Sequence, residues 1–403
     1  MEILTSARGQ KNLPRYFRAV LSTLERLENG RLDIHLPDGR IFRRQAATPG
    51  PAARLDVHNS DCFTRLIRDG SIGFSEAYMD GWWSTPDLQT FMDLVMTSNN
   101  RVYDGFPGMG VVRAYERFLF WLKRNYRGQA RKNISYHYDL GNDFFAAWLD
   151  ETMTYSSAVF ATGQEDLAKA QTAKYAAIVD QMGVSAGDHV LEIGCGWGGF
   201  AEYAAGTRGL RVTALTISRE QHDFAVARIK NAGLSGQVEI SLRDYRDETG
   251  TYDGIASIEM FEAVGEKYWP AYFETLHNRL KRGAQATLQI ITTPDDRFKA
   301  YRKRVDFIRK YIFPGGMLPS PGVLQAQVAR AGLTHVRTQE YSDSYDQTLR
   351  RWYETFNAAW GDIEKMGFDS RFRRMWNFYL TSSASSFSGR NCDLIQITVA
   401  RPA

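Results

Sequence analysis

Cysteine is scarce in this chain. Only Cys62, Cys195 and Cys392 occur among its 403 residues, and they lie far apart in the sequence. This isolation excludes a disulfide framework and a cysteine-type zinc site, and it fits a reducing compartment. Histidine and aspartate form no ligand cluster either, so we expect no metal, and no nucleophile–base–acid triad presents itself.

Long apolar runs are also missing. No stretch approaches the roughly 18 residues of a membrane-spanning helix, and basic residues interrupt the N-terminal region where a signal peptide would be apolar. We therefore expect a cytoplasmic protein. Neither sign of charge dominates, because the net charge is only +4. That value fits an anionic membrane surface or nucleic acid as partner, and equally a soluble enzyme with neither.

The length predicts more than one domain. Residues 1–128 are predicted to form a separate α+β domain, because apolar residues recur at helical spacing over 16–27. Alternation over 32–36 and 40–42, on either side of a Pro-Asp-Gly turn, predicts a β-hairpin. Helical turns are predicted on both sides of Gly70.

A basic and aromatic segment covers residues 113–132. Such a helix can lie on an anionic bilayer, and it can equally be an interdomain helix with a solvated basic face. Both interpretations stay open. Arg127-Gly128-Gln129 is predicted to be a linker.

Residues 129–403 alternate between strand-like and helix-like stretches. This alternation predicts a Rossmann-like α/β domain, in which helices cover both faces of a parallel sheet. A helical insertion is predicted at about 297–320. The predicted strands are 189–193, 210–217, 238–242, 252–258, 285–292, 334–341 and 394–400.

The most informative stretch is the run Val190–Phe200, a predicted buried strand that ends in a glycine-rich turn. Gly194, Gly196 and Gly198 lack the side chains that would keep a ligand away from the backbone. Glu192, two residues before the first glycine, is suited to accept hydrogen bonds from a charged amino acid moiety or a ribose. Such a turn can serve NAD as well.

The next two predicted strands favour S-adenosylmethionine over NAD. An NAD site needs an acidic residue at the end of the second strand, whereas this strand ends in hydroxyl side chains with no acid before Glu220. The third strand runs into Asp244 and Tyr245, which suit the amino edge and the face of an adenine. A nicotinamide site with unusual ribose recognition is the alternative.

The ordered motifs of the chain are similar to those of one enzyme family. The sequence resembles the cyclopropane-fatty-acyl-phospholipid synthases and the related mycolic acid methyltransferases over nearly its whole length. Besides the glycine-rich turn and Asp244-Tyr245-Arg246, the matching pieces are Gly73–Trp83, Tyr136–Phe145, Met153–Ser156, Thr216–Gln221, Met260–Gly265, Tyr311–Pro319 and Asp343–Asp346.

The resemblance implies a class I S-adenosylmethionine methyltransferase domain with a smaller N-terminal lipid-binding domain. It implies methyl or methylene transfer to the double bond of an unsaturated acyl chain in a membrane phospholipid, giving a cyclopropane or a methyl-branched chain. The protein would then associate peripherally with the inner face of the membrane, and some family members form homodimers. Nucleic acid is not an expected substrate, because no Asp/Asn-Pro-Pro-aromatic signature follows the fourth strand.

Family matching also implies site residues. In the family a bound bicarbonate is the base, held by a Glu, a His, a Tyr and backbone amides. Glu262 and Tyr345 match the Glu and the Tyr, and His137 matches another His close to the cofactor. The residues that would line the S-adenosylmethionine site, by this match or by the strand-end patterns above, are Tyr155, Ser156, Glu192, Gly194, Gly196, Gly198, Thr216, Gln221, Asp244 and Tyr245.

Two departures from the family pattern concern the bicarbonate site. Ser157 replaces the family's pocket cysteine, and Gln289 replaces the bicarbonate-binding histidine. A glutamine can donate a hydrogen bond to an oxyanion but cannot shuttle a proton. Bicarbonate binding and ring closure are therefore open, and a conjugated diene is a further candidate acceptor. A catalytically altered lipid-binding paralogue and a methyltransferase for a small soluble molecule are the alternative functions.

Four further residues receive structural interpretations. Glu259 is interpreted as a surface residue in preference to a second carboxylate in the site. Trp83, with its neighbour Trp82, is assigned to the core, and Cys195 to a small space-filling role between glycines.

Overall fold

The computed structural model describes residues 3–97 and 140–403. The chain divides into two compact units, and each is described by itself. The first unit contains the N-terminal residues together with 304–312 and 360–390, and the second contains 140–303, 313–359 and 391–403. No helix in the described ranges combines the length and apolar character needed to cross a bilayer.

The first unit is built on a five-stranded sheet with the order β1-β3-β2-β4-β5. The hairpin predicted around the Pro-Asp-Gly turn is confirmed, since β2 and β3 pair antiparallel. The strands are β1 Ile3–Leu4, β2 Asn29–His35, β3 Ile41–Gln45, β4 Thr48–Val57 and β5 Trp83–Ser84. The α-helices are Phe17–Thr23, Asp61–Met79, Leu88–Thr97, Trp360–Lys365 and Ser370–Ser388.

Aromatic side chains form much of this core. Phe17 packs edge-on against Phe42 and Phe63, with ring centroids 4.8 and 5.1 Å away. Trp83 is fully buried, as predicted for a core residue. The helix Asp61–Met79 is kinked at Gly70, whose backbone has a φ of 65° that favours glycine.

Two segments of this first unit were assigned from the sequence to the second domain. The helix Ser370–Ser388 packs on Leu88–Thr97, where the Ser385 hydroxyl donates to Asp93 at 2.7 Å. In the segment 304–312, Lys310 pairs with Glu76 at 2.9 Å. The contiguous boundary at residue 128 therefore does not describe this unit, because long-range packing joins segments that are remote in the chain.

The second unit contains a seven-stranded sheet with the order β11-β12-β10-β9-β6-β7-β8. Its five central and edge strands β10, β9, β6, β7 and β8 pair in parallel, and β12 runs antiparallel to both β10 and β11. The strands are β6 His189–Ile193, β7 Arg211–Thr216, β8 Val238–Leu242, β9 Tyr252–Ile258, β10 Leu280–Thr292, β11 Thr334–Glu340 and β12 Asp393–Ala400.

Helices connect these strands, as the alternating pattern predicts. Two of them begin at a side-chain cap, since Asp166 accepts from the Lys169 amide and Ser218 from the Gln221 amide. The insertion after β10 begins with the helix Asp295–Tyr301. The other α-helices of this unit are Asn142–Ala146, Leu167–Met182, Gly199–Gly206, Arg219–Asn231, Trp269–Arg279, Pro321–Arg330 and Ser342–Ala358.

This topology positions the candidate site. The carboxyl ends of parallel strands share one edge of a sheet, which is where α/β proteins bind ligands. Glu192, Thr216, Glu259 and Gln289 all lie in or directly after the carboxyl-terminal parts of their strands. Residues from four neighbouring strands are thereby collected at one edge.

Candidate active site

The turn after β6 carries a left-handed backbone at three glycines. The φ angles of Gly194, Gly196 and Gly198 are 86°, 51° and 83°. A β-carbon at Gly194 would lie 2.7 Å from Met260 Cγ, whereas one at Gly196 would meet nothing within 4 Å. Bare backbone therefore faces open space at Gly196, as a closely bound ligand requires.

Glu192 is buried in β6 just before this turn. Its side chain is 2% exposed, and the oxygen Oε2 has no hydrogen-bond partner among the described residues. Burial raises the pKa of this carboxyl to about 8, and Lys174 and Arg228 act in the opposite direction. The unpartnered Oε2 fits the positively charged amino acid moiety of S-adenosylmethionine, whose charge would favour the ionised form of this carboxyl when the cofactor is bound.

The ends of β7 and β8 supply the other predicted cofactor residues. The Thr216 hydroxyl donates to Gln221 Oε1 at 3.0 Å. Both oxygens of Asp244 are engaged by the Arg246 guanidinium, at 2.8 and 2.5 Å. Tyr245 lies edge-on to Tyr272, with the ring centroids 5.4 Å apart. The assignment of Asp244 and Tyr245 to an adenine remains a prediction.

Tyr155 belongs to an aromatic cluster. Its ring centroid lies 5.2 Å from those of Phe145 and Trp352, and 5.7 Å from that of Trp148. The neighbouring Ser156 accepts a hydrogen bond from the Lys174 ammonium at 2.7 Å. Tyr155 therefore has a largely aromatic environment, whereas Ser156 faces a lysine ammonium.

The carboxylate of Glu259 is the centre of a dense hydrogen-bond network. Its Oε1 accepts from the Ser157 amide at 2.8 Å and from Gln289 Nε2 at 2.9 Å, and its Oε2 accepts from the Tyr345 hydroxyl at 2.6 Å. The interpretation of Glu259 as a surface residue is therefore wrong. Its backbone has a φ of 48°, a left-handed conformation that few non-glycine residues adopt.

Gln289 is held in place by two further glutamines. Its carbonyl accepts from Gln396 Nε2 at 2.9 Å, and Gln396 in turn accepts from Gln181 Nε2 at 2.5 Å. Because its oxygen is engaged by Gln396, the amide nitrogen of Gln289 faces Glu259 and the Ser157 carbonyl. All three glutamines are buried.

Glu262 follows Glu259 in the loop after β9. Its Oε1 accepts from the Ile291 amide at 2.6 Å, and its Oε2 has no hydrogen-bond partner among the described residues. Burial, and then the negative charge of Glu259, raise the pKa of Glu262 to about 8. Glu262 is therefore protonated at neutral pH.

Lys174 is a buried charged residue that the sequence analysis missed. It is fully buried in the helix Leu167–Met182, and its ammonium donates to Ser156 Oγ and to Gln171 Oε1 at 2.7 and 2.6 Å. Burial lowers its pKa to about 7, whereas the charges of Glu259, Asp150 and Glu192 raise it. A single lysine in a helix sequence does not indicate that acidic residues from distant parts of the chain lie near it in the fold.

The remaining predictions concern His137, the basic segment 113–132 and Cys195. His137 and the basic segment 113–132 lie outside the described residues. Cys195 is buried, and burial raises the pKa of its thiol well above the ordinary value, which agrees with a space-filling role.

The same architecture and motifs are found in known proteins. The profile of the family described as mycolic acid cyclopropane synthetase matches residues 125–397. The chain belongs to this family. It is 39% identical over 394 residues to tuberculostearic acid methyltransferase UfaA1 of Mycobacterium tuberculosis, with 92% of this chain and 89% of that protein covered.

Two further relatives agree with this assignment. The cyclopropane-fatty-acyl-phospholipid synthase of Escherichia coli is 37% identical over 368 residues, covering 90% of this chain and 91% of that protein. The solved structure of mycolic acid cyclopropane synthase CmaA1, complexed with SAH and CTAB, has a TM-score of 0.63 and 30% identity. It covers 67% of this chain and 98% of that chain. This member of the mycolic acid cyclopropane synthetase family is therefore an S-adenosylmethionine-dependent methyltransferase with the predicted fold.

Proposed function

We propose that this methyltransferase alkylates the double bond of an unsaturated fatty acyl chain in a membrane phospholipid, giving a cyclopropane or a methyl-branched chain. The observation that carries the proposal is the pair of half-buried glutamates, Glu259 and Glu262, with hydrogen-bonded carboxyl groups at the sheet edge that also holds the glycine turn. The names of the two relatives above, a fatty-acyl-phospholipid synthase and a fatty acid methyltransferase, support it.

An isolated alkene is a weak nucleophile, so the site has to bring it close to a strong electrophile. S-adenosylmethionine, when bound, supplies a methyl group on a positively charged sulfur. Glu192 and the backbone at Gly196 would hold it, and Thr216 and Gln221 stand at the end of the next strand. Productive orientation in a dry site contributes a large part of the rate enhancement in such reactions.

Alkylation leaves a positive charge on the acyl chain. A carboxylate close to that charge stabilises it, because electrostatic interactions are strong in a site that excludes water. Tyr155, which is half-buried, contributes an apolar aromatic surface together with Phe145 and Trp352. The carboxylate of Glu259, held by three hydrogen-bond donors, therefore suits a reaction that develops a cation.

The phospholipid and the membrane enter as part of the proposal. A phospholipid substrate requires that the enzyme reaches acyl chains at a bilayer surface, and the excess of basic residues favours an anionic surface. Binding to anionic vesicles should then weaken as salt is added, because the attraction is screened within about 10 Å at 0.1 M ionic strength.

The test is expression in a bacterial host that lacks its own cyclopropane synthase. Extracted phospholipids are converted to methyl esters and analysed by gas chromatography and mass spectrometry. We expect a gain of one methylene unit in unsaturated chains. Glu262→Gln, which removes the buried carboxyl group, should lower the yield, and Glu274→Gln, an exposed residue on the helix Trp269–Arg279, should not.

The form of the product identifies the reaction. A product that survives mild hydrogenation of double bonds but is opened by conditions that cleave three-membered rings is a cyclopropane. A branched alkene means that the proton leaves from another carbon, and a branched alkane requires in addition a reductant supplied by the host. The same host is also fed a conjugated diene acid. A purified, folded enzyme that converts neither monoenoic nor dienoic phospholipids would contradict the proposal.

A further inference from the structure

The donors that the resemblance assigns to a bicarbonate are already occupied in this chain. Gln289 and Tyr345 match two of the side chains that hold bicarbonate in the family, and both donate to the carboxylate of Glu259. The Ser157 amide donates to it as well. These three donors, here called the Glu259 cage, surround a side-chain anion of this chain.

A bicarbonate does not fit into this arrangement. It would need the same donors, and it would bring a second negative charge against Glu259 and close to Glu262. The electrostatic interaction between these two carboxyl groups already raises the pKa of Glu262. A second anion beside the carboxylate of Glu259 would be repelled without donors left to compensate it.

The carboxylate of Glu259 has the chemistry that a bicarbonate would bring. Both are planar anions in which two oxygens share one negative charge, and both can take up a proton. A carboxylate offers about four lone-pair sites, and the cage uses two on Oε1 and one on Oε2. One site on Oε2 is therefore left to accept a proton.

Two observations indicate that the position of the Glu259 carboxylate is fixed by specific features of the structure. The left-handed φ of 48° is unfavourable for a glutamate, and such strain concentrates at functional sites. The glutamines Gln396 and Gln181 also fix the amide of Gln289 so that it donates to Glu259. A residue that merely filled space would need neither the strained backbone nor an oriented chain of amides.

We infer that the carboxylate of Glu259 is a built-in replacement for the bicarbonate, and that it takes the proton released after alkylation of the acyl chain. This inference rests on the proposed function. For ring closure, a C–H bond of the transferred methyl group breaks and its electron pair forms the last bond of the ring. For an alkene, a C–H bond on a carbon next to the cation breaks and its electron pair forms the C=C bond. In both cases the proton moves to Glu259. The step needs no oxidant or reductant, and the proton is later released to solvent.

Glu262 is less suited to this role. With a pKa of about 8 it carries its proton at neutral pH and cannot accept another. Burial also raises the pKa of Glu259, but the hydrogen bonds from Tyr345 and Gln289 act in the opposite direction and favour its charged form. When it is ionised, a base with a raised pKa is also the stronger proton acceptor.

The test compares wild type, Glu259→Gly and Glu259→Gln in buffer freed of carbon dioxide, with phospholipid vesicles as substrate. The wild type should be equally active with and without added bicarbonate. Both variants should lose activity by at least about a hundredfold, the usual contribution of a general base. Bicarbonate should restore Glu259→Gly, whose cage is empty, and should not restore Glu259→Gln, whose cage is filled by a neutral amide.

Rescue by a small anion is the outcome that a merely structural role would not give. Glycine suits the left-handed backbone at this position, so Glu259→Gly should fold, which thermal unfolding checks. Loss of wild-type activity on removal of bicarbonate would overturn the inference, and so would full activity of Glu259→Gly without it. Glu274→Gln serves as the exposed control.

A measurement without lipid separates this inference from the proposed function. The line width of 13C-labelled bicarbonate in NMR should increase on addition of Glu259→Gly and not on addition of wild type. If the wild type bound bicarbonate as well as Glu259→Gly does, the inference of a built-in carboxylate would be contradicted. If the wild type turned over no lipid while this binding difference held, the proposed substrate would be wrong and the occupied cage would stand.

Discussion

The hydroxyl of Tyr345 donates a hydrogen bond of 2.6 Å to Oε2 of Glu259. This contact joins the helix Ser342–Ala358, late in the chain, to the loop after β9. The two residues are 86 positions apart, and their contact closes one side of the Glu259 cage. It couples the ionisation of the proposed base to a helix outside the central sheet.

Tyr345→Phe should lower kcat/KM by about tenfold, because a hydrogen bond to a charged group contributes about 1.5–3 kcal/mol. The Tyr345 hydroxyl lowers the pKa of Glu259, so its removal should raise that pKa. A protonated Glu259 cannot act as a base. Activity should therefore be lost at a higher pH than in wild type as the pH falls, which a pH–rate profile measures.

Tyr341→Phe is the matched control for this variant. Tyr341 precedes the same helix, and its hydroxyl donates to Gln339. Removal of the Tyr341 hydroxyl should leave the acidic limb of the pH–rate profile at the same pH as in wild type. An unchanged acidic limb in Tyr345→Phe would contradict the role of the hydroxyl in setting the pKa of Glu259.

Gly196→Ala tests the cofactor turn. An added β-carbon meets nothing within 4 Å. The free energy of unfolding should therefore fall only by the strain of an alanine in the left-handed conformation, about 1–2 kcal/mol. The same β-carbon would enter the space in which S-adenosylmethionine is expected to approach the backbone. Affinity for S-adenosylmethionine, measured by calorimetry, should fall by about tenfold or more, or 1.4 kcal/mol.

Gly233→Ala separates strain from binding. Gly233 has a φ of 72° and also has nothing within 4 Å of an added β-carbon, and it follows the helix Arg219–Asn231. We expect a similar loss of stability and an unchanged affinity. Equal affinities of both variants and the wild type would exclude Gly196 from the cofactor site.

The second unit was largely predictable from the sequence because its pattern is local. Each strand from β6 to β9 is a largely apolar run followed by glycine or polar residues. The observed bounds of these four strands agree with the predicted bounds to within one residue. The assignment of 304–312 and 360–390 failed for the opposite reason. Ser385 bonds to Asp93, 292 positions away, and Lys310 bonds to Glu76, 234 positions away. Periodicity reveals that a helix has an apolar face without revealing what that face packs against.

Glu259 and Lys174 mark the corresponding limit within the site. A glutamate directly after a strand is usually solvated, and nothing in the local pattern predicts the left-handed backbone that accompanies its buried contacts. The donors come from Ser157, Gln289 and Tyr345, which are remote in the chain. The family motifs singled out Gln289 and Tyr345, but no motif indicated the carboxylate of Glu259 to which both donate.

Glu262→Gln should change how stability depends on pH. The pKa of Glu262 is raised from about 4.5 in the unfolded chain to about 8 in the folded protein. Its contribution to stability is therefore fully present below the unfolded pKa and is lost as pH rises through the folded pKa. Between about pH 5 and pH 8.5 the free energy of unfolding should fall less steeply in Glu262→Gln than in wild type.

Urea unfolding at a series of pH values measures this difference. Glu192, whose pKa is also raised to about 8, contributes a similar dependence that remains in the variant. In the control Glu274→Gln the curve should run parallel to that of wild type, because Glu274 is exposed. A slope in Glu262→Gln equal to that of wild type would contradict the raised pKa.

Lys174→Met tests whether the buried ammonium of Lys174 stabilises the fold and the charged forms of Glu259 and Glu192. The ammonium satisfies Ser156 Oγ and Gln171 Oε1, and its charge interacts with Glu259 and Glu192. Methionine fills a similar volume but leaves these polar atoms without their donor. The free energy of unfolding should fall by about 2 kcal/mol, within the range of about 1–3 kcal/mol for a buried group left unsatisfied.

Lys169→Met is the matched control on the same helix. Lys169 is exposed and pairs only at the surface with Asp166, so its loss should change stability by less than about 0.5 kcal/mol. The two variants should also differ in pH dependence. Without the cation the charged forms of Glu259 and Glu192 lose stabilisation, so their pKa values should rise, and the acidic limb of the pH–rate profile should move upward in Lys174→Met alone. Equal stability and equal profiles in the two variants would show that the buried ammonium does not act on these carboxyl groups.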